Sequence, residues 1–252
     1  IPCGASAEIT LRPFSAIRRI ASLSASGVAE KGRRVISAEA PHGIDTTNRE
    51  VKIPKAEARK FELLLSLIEK KDLDKVNIIS NSESSIYVAA AAALYPEKFE
   101  NIVFIEPAGL IGNDNFWDLL KRNMQEAKED ERQSKLKEKV KYPSSASIGM
   151  RSIFSNLPAS IKEIDAIAHA DITMMLEQIH NAGIGISIIH AVDDKIFPME
   201  KIQKIIKAHT IDGFYSVSGG HNSIYLYEPF GRAAEAALSA LENKKDTKNK
   251  NN

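Results

Sequence analysis

The sequence predicts a three-layer α/β/α sandwich, in which a mostly parallel sheet carries a helical cap insertion. Short apolar runs of strand length alternate along the chain with longer segments of helical periodicity, which is typical of parallel strands joined by covering helices. In addition, 43% of the 252 residues are hydrophobic, which is enough for a sizeable core and well above disordered composition.

The N-terminal part contains two strand candidates and two helix candidates. Residues 1–6 have the composition of a strand end that enters a glycine-containing loop, and residues 34–38 are the next strand candidate. Apolar residues recur at helical spacing over 11–29 and again over 54–71, which predicts two helices. Residues 39–45 are rich in turn formers and form the loop after the second strand.

The most distinctive stretch begins with the apolar run at 76–79, continues through small polar residues and leads into an alanine-rich segment at 88–94. Valine and isoleucine favour a buried parallel strand, and alanine is the strongest helix former, so a strand followed directly by a helix is expected. Ser82 lies in the very short turn between them. Such a turn strains its middle residue and pushes that side chain out of the sheet.

The rest of the chain completes the sheet and adds an insertion. Strands are predicted at 101–105, 185–190 and 213–217, with helices at 199–209 and 229–241. Residues 121–141 are crowded with charges of both signs, which favours a solvated helix face over a binding surface. We therefore predict a core of residues 1–112 and 176–243, a helical cap of residues 113–175, and a disordered polar tail of residues 244–252.

Composition excludes several classes of function. The net charge of +1 gives no indication of binding to nucleic acid or to an anionic membrane. Cys3 is the one cysteine, so no internal disulfide forms and a cytoplasmic location is expected, with Cys3 in a structural role. No apolar run approaches the roughly 20 residues that a membrane span requires.

Three residues with complementary chemistry follow predicted strands, namely Ser82, Asp194 and His221. The carboxyl ends of parallel strands meet at one edge of a sheet, where open α/β sheets bind their ligands. A serine hydroxyl needs a base to remove its proton, His221 would be that base, and Asp194 would orient the imidazole. The simpler alternatives are an ordinary turn serine, a helix-capping aspartate and a surface histidine.

At these residues the sequence resembles the α/β-hydrolase superfamily. Similar motifs occur at 41–45, 95–103, 188–198 and 219–222, and the insertion lies where that family has its lid. The resemblance gives the acid role to Asp194, four residues before Pro198, with Asp193 as second choice. Early strands of the family are absent, so we expect a truncated chain.

The predicted chemistry is that of a serine hydrolase, which cleaves an ester or related acyl bond of a small, fairly apolar substrate. The backbone N–H groups of Glu83 and of Ala5, or alternatively Gly4, would stabilise the oxyanion. No cofactor or metal is expected, because the remaining histidines have no partners at ligand spacing; these are His42, His169, His180, His190 and His209.

Two departures from the family pattern favour an alternative function. Ser80 and Ser84 stand where the family usually has glycine, and Glu83 is a carboxylate beside a site that must stabilise negative charge. The alternative is a catalytically inactive binding protein that retains the fold.

Overall fold

The computed structural model describes residues 7–12, 34–39, 55–112, 114–136, 157–208, 211–221 and 228–250. Its strands are β1 (Ala7–Arg12), β2 (Arg34–Glu39), β3 (Val76–Asn81), β4 (Phe99–Ile105), β5 (Gly185–Ala191) and β6 (Gly213–Val217). Its helices are α1 (Lys55–Lys70), α2 (Ser84–Leu94), α3 (Phe116–Leu136), α4 (Leu157–Ala168), α5 (Thr173–Asn181), α6 (Met199–Ala208) and α7 (Glu228–Lys250).

The six strands form one parallel sheet with the order β2-β1-β3-β4-β5-β6. The chain moves outwards from β1 to β2 and then returns to the other side of β1 to form β3. The strand order therefore reverses between β1 and β3. In open parallel sheets, ligands bind beyond the carboxyl ends of the strands at such a reversal. Ser82 directly follows β3, at this position.

Helices cover both faces of the sheet, as the apolar strands require. One face of the strands, including Ile78, Phe104 and Ile188, packs in the larger apolar core with the alanine-rich helix α2 and with α1, α5 and α6. The alternate positions, including Ile79 and Val103, pack against the buried face of α7. Burial on both faces explains why these strands are continuously apolar, and it confirms the predicted fold class.

The N-terminal strand differs from the prediction. Residues 7–12 form β1, whereas the sequence favoured a strand end at 1–6 and a helix from 11 onwards. Apolar Ile9 and Leu11 alternate with polar Glu8 and Thr10, which is a strand period that the helical spacing further along obscured. The predicted strand end at 1–6 and residues 13–29 of the predicted helix lie outside the described part of the chain.

The C-terminal tail is also different. Helix α7 continues to Lys250, so the prediction of a disordered tail is wrong for residues 244–250. Two lysine side chains bind this segment to the body of the protein. Lys244 Nζ lies 2.6 Å from Asp212 Oδ1, and Lys245 Nζ lies 2.6 Å from Glu100 Oε1. The low sequence complexity of this segment favoured disorder, but its lysines form a charged helix face that pairs with acidic residues.

Helices α3, α4 and α5 lie between β4 and β5, and α3 and α4 fall within the predicted insertion. The boundary at 175/176 passes through α5, whose Leu176 and Ile179 are fully buried in the main core. The division into core and cap stays a prediction. None of the helices in the described ranges has the length and apolar character to cross a membrane.

Candidate active site

The turn between β3 and α2 holds Ser82 in a strained conformation. Strand β3 ends at Asn81 and α2 begins at Ser84, while Ser82 has φ +52°, in the left-handed region. A residue other than glycine there costs on the order of 1 kcal/mol, so its surroundings must hold it in place. The Ser82 N–H donates to the Ile105 carbonyl at 2.9 Å, and the Ala108 N–H donates to the Ser82 carbonyl at 3.1 Å.

The serines that replace glycine in this turn are accommodated by hydrogen bonds. The hydroxyl oxygens of Ser80 and Ser84 are 3.1 Å apart and fully buried. Ser84 Oγ also accepts from the Asn81 N–H at 2.8 Å and donates to the Asn81 carbonyl at 2.7 Å. The hydroxyl groups of Ser80 and Ser84 thus form hydrogen bonds with each other and with the Asn81 backbone, and these bonds stabilise the turn.

The structure brings the three predicted catalytic side chains together. His221 Nε2 lies 2.8 Å from Ser82 Oγ, and His221 Nδ1 lies 2.8 Å from Asp194 Oδ2. The other carboxylate oxygen of Asp194 accepts the N–H groups of Ile196 and Phe197 at 2.7 and 2.9 Å. With Nδ1 protonated and donating to Asp194, Nε2 is free to accept the serine proton.

Of the two aspartates in the turn after β5, Asp194 reaches the histidine. Asp194 is 4% exposed, whereas the Asp193 side chain is exposed to solvent. The backbone of Asp193 serves the site instead, because its N–H donates to the Gly219 carbonyl at 3.0 Å and joins the acid turn to the histidine loop.

Comparisons with known proteins identify this architecture. No protein-family model and no curated protein matches the sequence. Solved structures do match, among them CarC, a serine hydrolase involved in carbazole degradation. It has a TM-score of 0.60 and 19% identity over 93% of this chain and 91% of that one.

MGS-MChE2, an alpha/beta hydrolase enzyme from the metagenome of lagoon sediments at Mar Chica, Morocco, has a TM-score of 0.60 and 14% identity over 96% and 93% of the two chains. The enol-lactonase from Burkholderia xenovorans LB400 has a TM-score of 0.61 and 14% identity over 94% and 92%. This chain has the α/β-hydrolase fold. The predicted resemblance is confirmed at the level of the fold.

The second predicted oxyanion donor is the backbone N–H of Ala5, with Gly4 as the alternative. Ala5 lies outside the described residues, but β1 begins at Ala7, which pairs with Val76. Val76 is six residues before Ser82, or about 20 Å along a strand, and two residues span at most about 7 Å. Strand β1 thus begins at the end of the sheet remote from Ser82 and approaches the Ser82 edge at its Arg12 end. The assignment of a second oxyanion donor to Ala5 or to the alternative Gly4 stays a prediction.

The Glu83 carboxylate has a buried partner, Lys60. The Glu83 side chain is 11% exposed and forms a salt bridge with Lys60 of α1. Its backbone is helical, with φ −50° and ψ −37°, and within the described residues its N–H has no hydrogen-bond acceptor. The role of this N–H as an oxyanion donor stays a prediction.

Lys60 is the centre of a buried charge cluster that joins the turn to the insertion. Its Nζ contacts Glu83, lies 3.2 Å from Glu57 Oε1 within α1, and lies 3.1 Å from Glu163 Oε1 of α4. These four residues are the Lys60 cluster. Burial lowers the pKa of Lys60, but Glu83, Glu57 and Glu163 outweigh burial and raise it. Burial and the nearby Glu83 raise the pKa of Glu57 well above its ordinary value of 4.5, against the opposing effect of Lys60.

This raised pKa makes stability depend on pH. Folding favours the protonated form of Glu57, so its contribution is complete below pH 4.5 and is lost as the pH rises through the raised pKa. The side chain of Glu57→Gln stays neutral, so we expect this variant not to lose stability in this way. Relative to wild type, its free energy of unfolding should rise by up to about 1.4 kcal/mol per pH unit above pH 4.5. Urea unfolding at pH 5 and pH 8 measures this difference. Glu69→Gln, on the exposed face of α1, is the control, and parallel pH curves for Glu57→Gln and wild type would contradict the expectation.

Helix α3 binds the loops that carry the acid and the histidine, which the sequence did not indicate. Arg122 Nε donates to the Ile196 carbonyl at 2.9 Å, and Glu126 Oε2 accepts the Lys195 N–H at 3.2 Å. Glu126 is 2% exposed, and its Oε1 would lie 2.2 Å from a Cβ built on Gly220. Gly220 is therefore required for the close approach of the histidine loop to α3.

We expect Gly220→Ala to displace His221 and to lower kcat/KM for an ester by up to about 100-fold, the loss that a misplacement near 1 Å can cause. The Glu126→Ala change makes room for the new methyl group. The loss of kcat/KM in the double variant should therefore be smaller than the product of the losses in the two single variants. Steady-state kinetics of the four proteins test this, and purely multiplicative losses would argue against a clash.

Two further titratable residues lie near the site. Glu106, which follows β4, is fully buried, and its Oε2 lies 3.6 Å from His221 Nδ1. Donor atoms of Glu106, Asp194 and His221 all lie within 4.8 Å of one another, a spacing that a metal ion could use. Both nitrogens of His221 already contact Ser82 and Asp194, so an ion there would displace these contacts.

His190 supports the loop that holds the acid. It is fully buried on β5, and its Nε2 contacts the Phe197 carbonyl at 2.8 Å. Burial lowers its pKa, which favours the neutral ring. The interpretation of His190 as a core residue is confirmed.

Proposed function

We propose that the protein is a serine hydrolase that cleaves an ester or related acyl bond of a small, fairly apolar substrate through an acyl-enzyme. The observation that supports this most is the unbroken chain of two 2.8 Å contacts from Ser82 through His221 to Asp194. It lies at the carboxyl edge of the sheet where the strand order reverses. Names of structural relatives, a serine hydrolase and an enol-lactonase, agree with the proposal.

In the proposed reaction, Ser82 Oγ attacks the substrate carbonyl carbon while His221 Nε2 takes the hydroxyl proton. Asp194 stabilises the resulting imidazolium through Nδ1–H. The N–H of Glu83 donates to the oxyanion, together with a second backbone N–H. The tetrahedral intermediate then collapses, and Nε2 returns the proton to the leaving oxygen. Water, activated by His221 in the same way, releases the acyl group from Ser82.

The alternative of an inactive binding protein rested on two sequence features. Ser80 and Ser84 form hydrogen bonds that fit the turn, and the Glu83 carboxylate pairs with Lys60. Both features are compatible with turnover. The binding protein is kept as an outcome of the test below.

A fluorophosphonate probe tests the nucleophile directly, because it forms a stable bond only with an activated serine. Wild type should be labelled and Ser82→Ala should not. Ser85→Ala is the matched control, since Ser85 is a buried serine at the start of α2, three residues after Ser82, and it should keep the label. Absence of labelling in folded wild type at every pH would favour the binding protein. A panel of esters of increasing acyl length then defines the substrate class.

A further inference from the structure

Glu106 lies just after the carboxyl end of a strand, as Ser82 and Asp194 do. It directly follows β4, which lies between the strand of Ser82 and the strand that leads to Asp194. Its N–H donates to the Ile189 carbonyl of β5 at 2.8 Å, and its φ is +48°. A glutamate in the left-handed region costs on the order of 1 kcal/mol, so the surrounding structure holds this residue in place.

The imidazole of His221 faces two carboxylates through the same nitrogen. Asp194 Oδ2 lies 2.8 Å from Nδ1, within hydrogen-bond distance, and Glu106 Oε2 lies 3.6 Å from it, within ion-pair distance. All three residues are buried, with His221 5% exposed and Glu106 fully buried. Water therefore screens their interaction weakly, and a charge on either carboxylate acts strongly on the ring.

We propose that Glu106 is a second carboxylate partner of His221, a positioning residue that stabilises the imidazolium. When Asp194 is removed, the Glu106 carboxylate can accept a hydrogen bond from Nδ1–H in its place. The proposal rests on the proposed function, in which His221 becomes positively charged as it takes the proton of Ser82. Glu106 transfers no proton itself. Its negative charge makes His221 a stronger base, because an anion nearby favours the charged form of the ring.

Other charged groups around the ring have different contacts. His190 reaches Asp194 Oδ2 at 3.8 Å from the side of β5. Glu126 of α3 lies against Gly220 and accepts the Lys195 N–H. Substitution of each group in turn separates its effect on the ring from that of Glu106.

The first test measures the histidine without using activity. Histidine ring signals are followed by NMR against pH in wild type, in Glu106→Gln and in the control Glu100→Gln, which changes a glutamate at the opposite end of the same strand. Loss of one nearby charge should move the His221 titration to lower pH by about one unit in Glu106→Gln. It should not move in Glu100→Gln. An unchanged titration in Glu106→Gln overturns the proposal.

The second test uses turnover of an ester. Removal of the nearby charge should shift the acid limb of the kcat/KM profile to lower pH in Glu106→Gln, because His221 must be unprotonated to act as base. Asp194→Asn should lose about 100-fold, while Asp194→Asn combined with Glu106→Gln should lose about 10⁴-fold, as for a triad without its acid. Equal losses in the single Asp194 variant and the double variant overturn the proposal. Asp193→Asn serves as the control for the Asp194 change.

Two results separate this inference from the proposed function. A shifted His221 titration in a protein that hydrolyses no ester would uphold the Glu106 contact and reject the proposed function. Normal ester hydrolysis by a protein whose His221 titration does not shift in Glu106→Gln would uphold the proposed function and reject the role of Glu106. If Glu106→Gln does not fold, Glu106→Asp keeps the charge at a greater distance and should give a smaller shift in the same direction.

Discussion

Replacement of His221 by alanine is expected to lower kcat/KM for an ester substrate by about a million-fold, the loss that follows removal of the base from a serine triad. Within the described part of the chain, Ser82 then has no base at hydrogen-bond distance to take its proton, because the contact at 2.8 Å is to His221 Nε2. The free hydroxyl is a poor nucleophile at neutral pH. The expected loss is greater than that from removing the acid, which only orients and stabilises the ring.

Steady-state hydrolysis and fluorophosphonate labelling measure this effect. The control is His169→Ala, which changes an exposed histidine beside α4 and should leave both measurements unchanged. Circular dichroism must show that the His221 variant is folded, since the ring packs edge-on against Phe197 with centroids 5.1 Å apart. A folded His221→Ala protein that retains more than a hundredth of wild-type kcat/KM would exclude His221 as the base.

Replacement of Lys60 by methionine is expected to reduce the free energy of unfolding by about 3–5 kcal/mol, the loss found when one partner of a buried ion pair is removed. Lys60 is 3% exposed, and it is the shared cation of three buried carboxylates. Methionine fills the space of the lysine stem but removes the shared cation from the carboxylates of Glu83 and Glu163. The loss should be larger at pH 8 than at pH 5, because ionised carboxylates repel one another.

Chemical denaturation of wild type, Lys60→Met and Lys75→Met gives these values. Lys75 is an exposed lysine whose ion pair with Glu100 spans 3.5 Å, so its loss should be less than about 1 kcal/mol. Neutralising Glu83 and Glu163 by glutamine in the Lys60→Met background should restore part of the stability. Equal losses for the two lysine variants would mean that the Lys60 cluster contributes no more than a surface pair.

The positions of Ser82, Asp194 and His221 could be predicted because each follows a short apolar strand. Parallel strands bring all their carboxyl ends to one edge, so the chain order alone places these residues together. The same logic applied to Glu106, an acidic residue directly after the apolar run 101–105, would have predicted its position as well. The triad pattern gave no reason to expect Glu106 in the site, because a serine, a histidine and an aspartate already filled its three roles.

Other features depend on contacts that no local pattern indicates. Lys60 lies on the inner side of an amphipathic helix, and its partners Glu83 and Glu163 are 23 and 103 positions away. The position of the first strand is another such feature, since β1 spans Ala7–Arg12, whereas the sequence favoured an earlier strand end and a helix from residue 11. Short strands at a chain end have few neighbours in sequence to define them.

The attachment of α3 limits how a substrate can enter. Arg122 and Glu126 are one helical turn apart, and both hold backbone groups of the segment that carries Asp194. An opening motion that lifted α3 would withdraw these supports from the segment that carries Asp194. A ligand that enters without disturbing this segment therefore needs a path along which α3 stays in place.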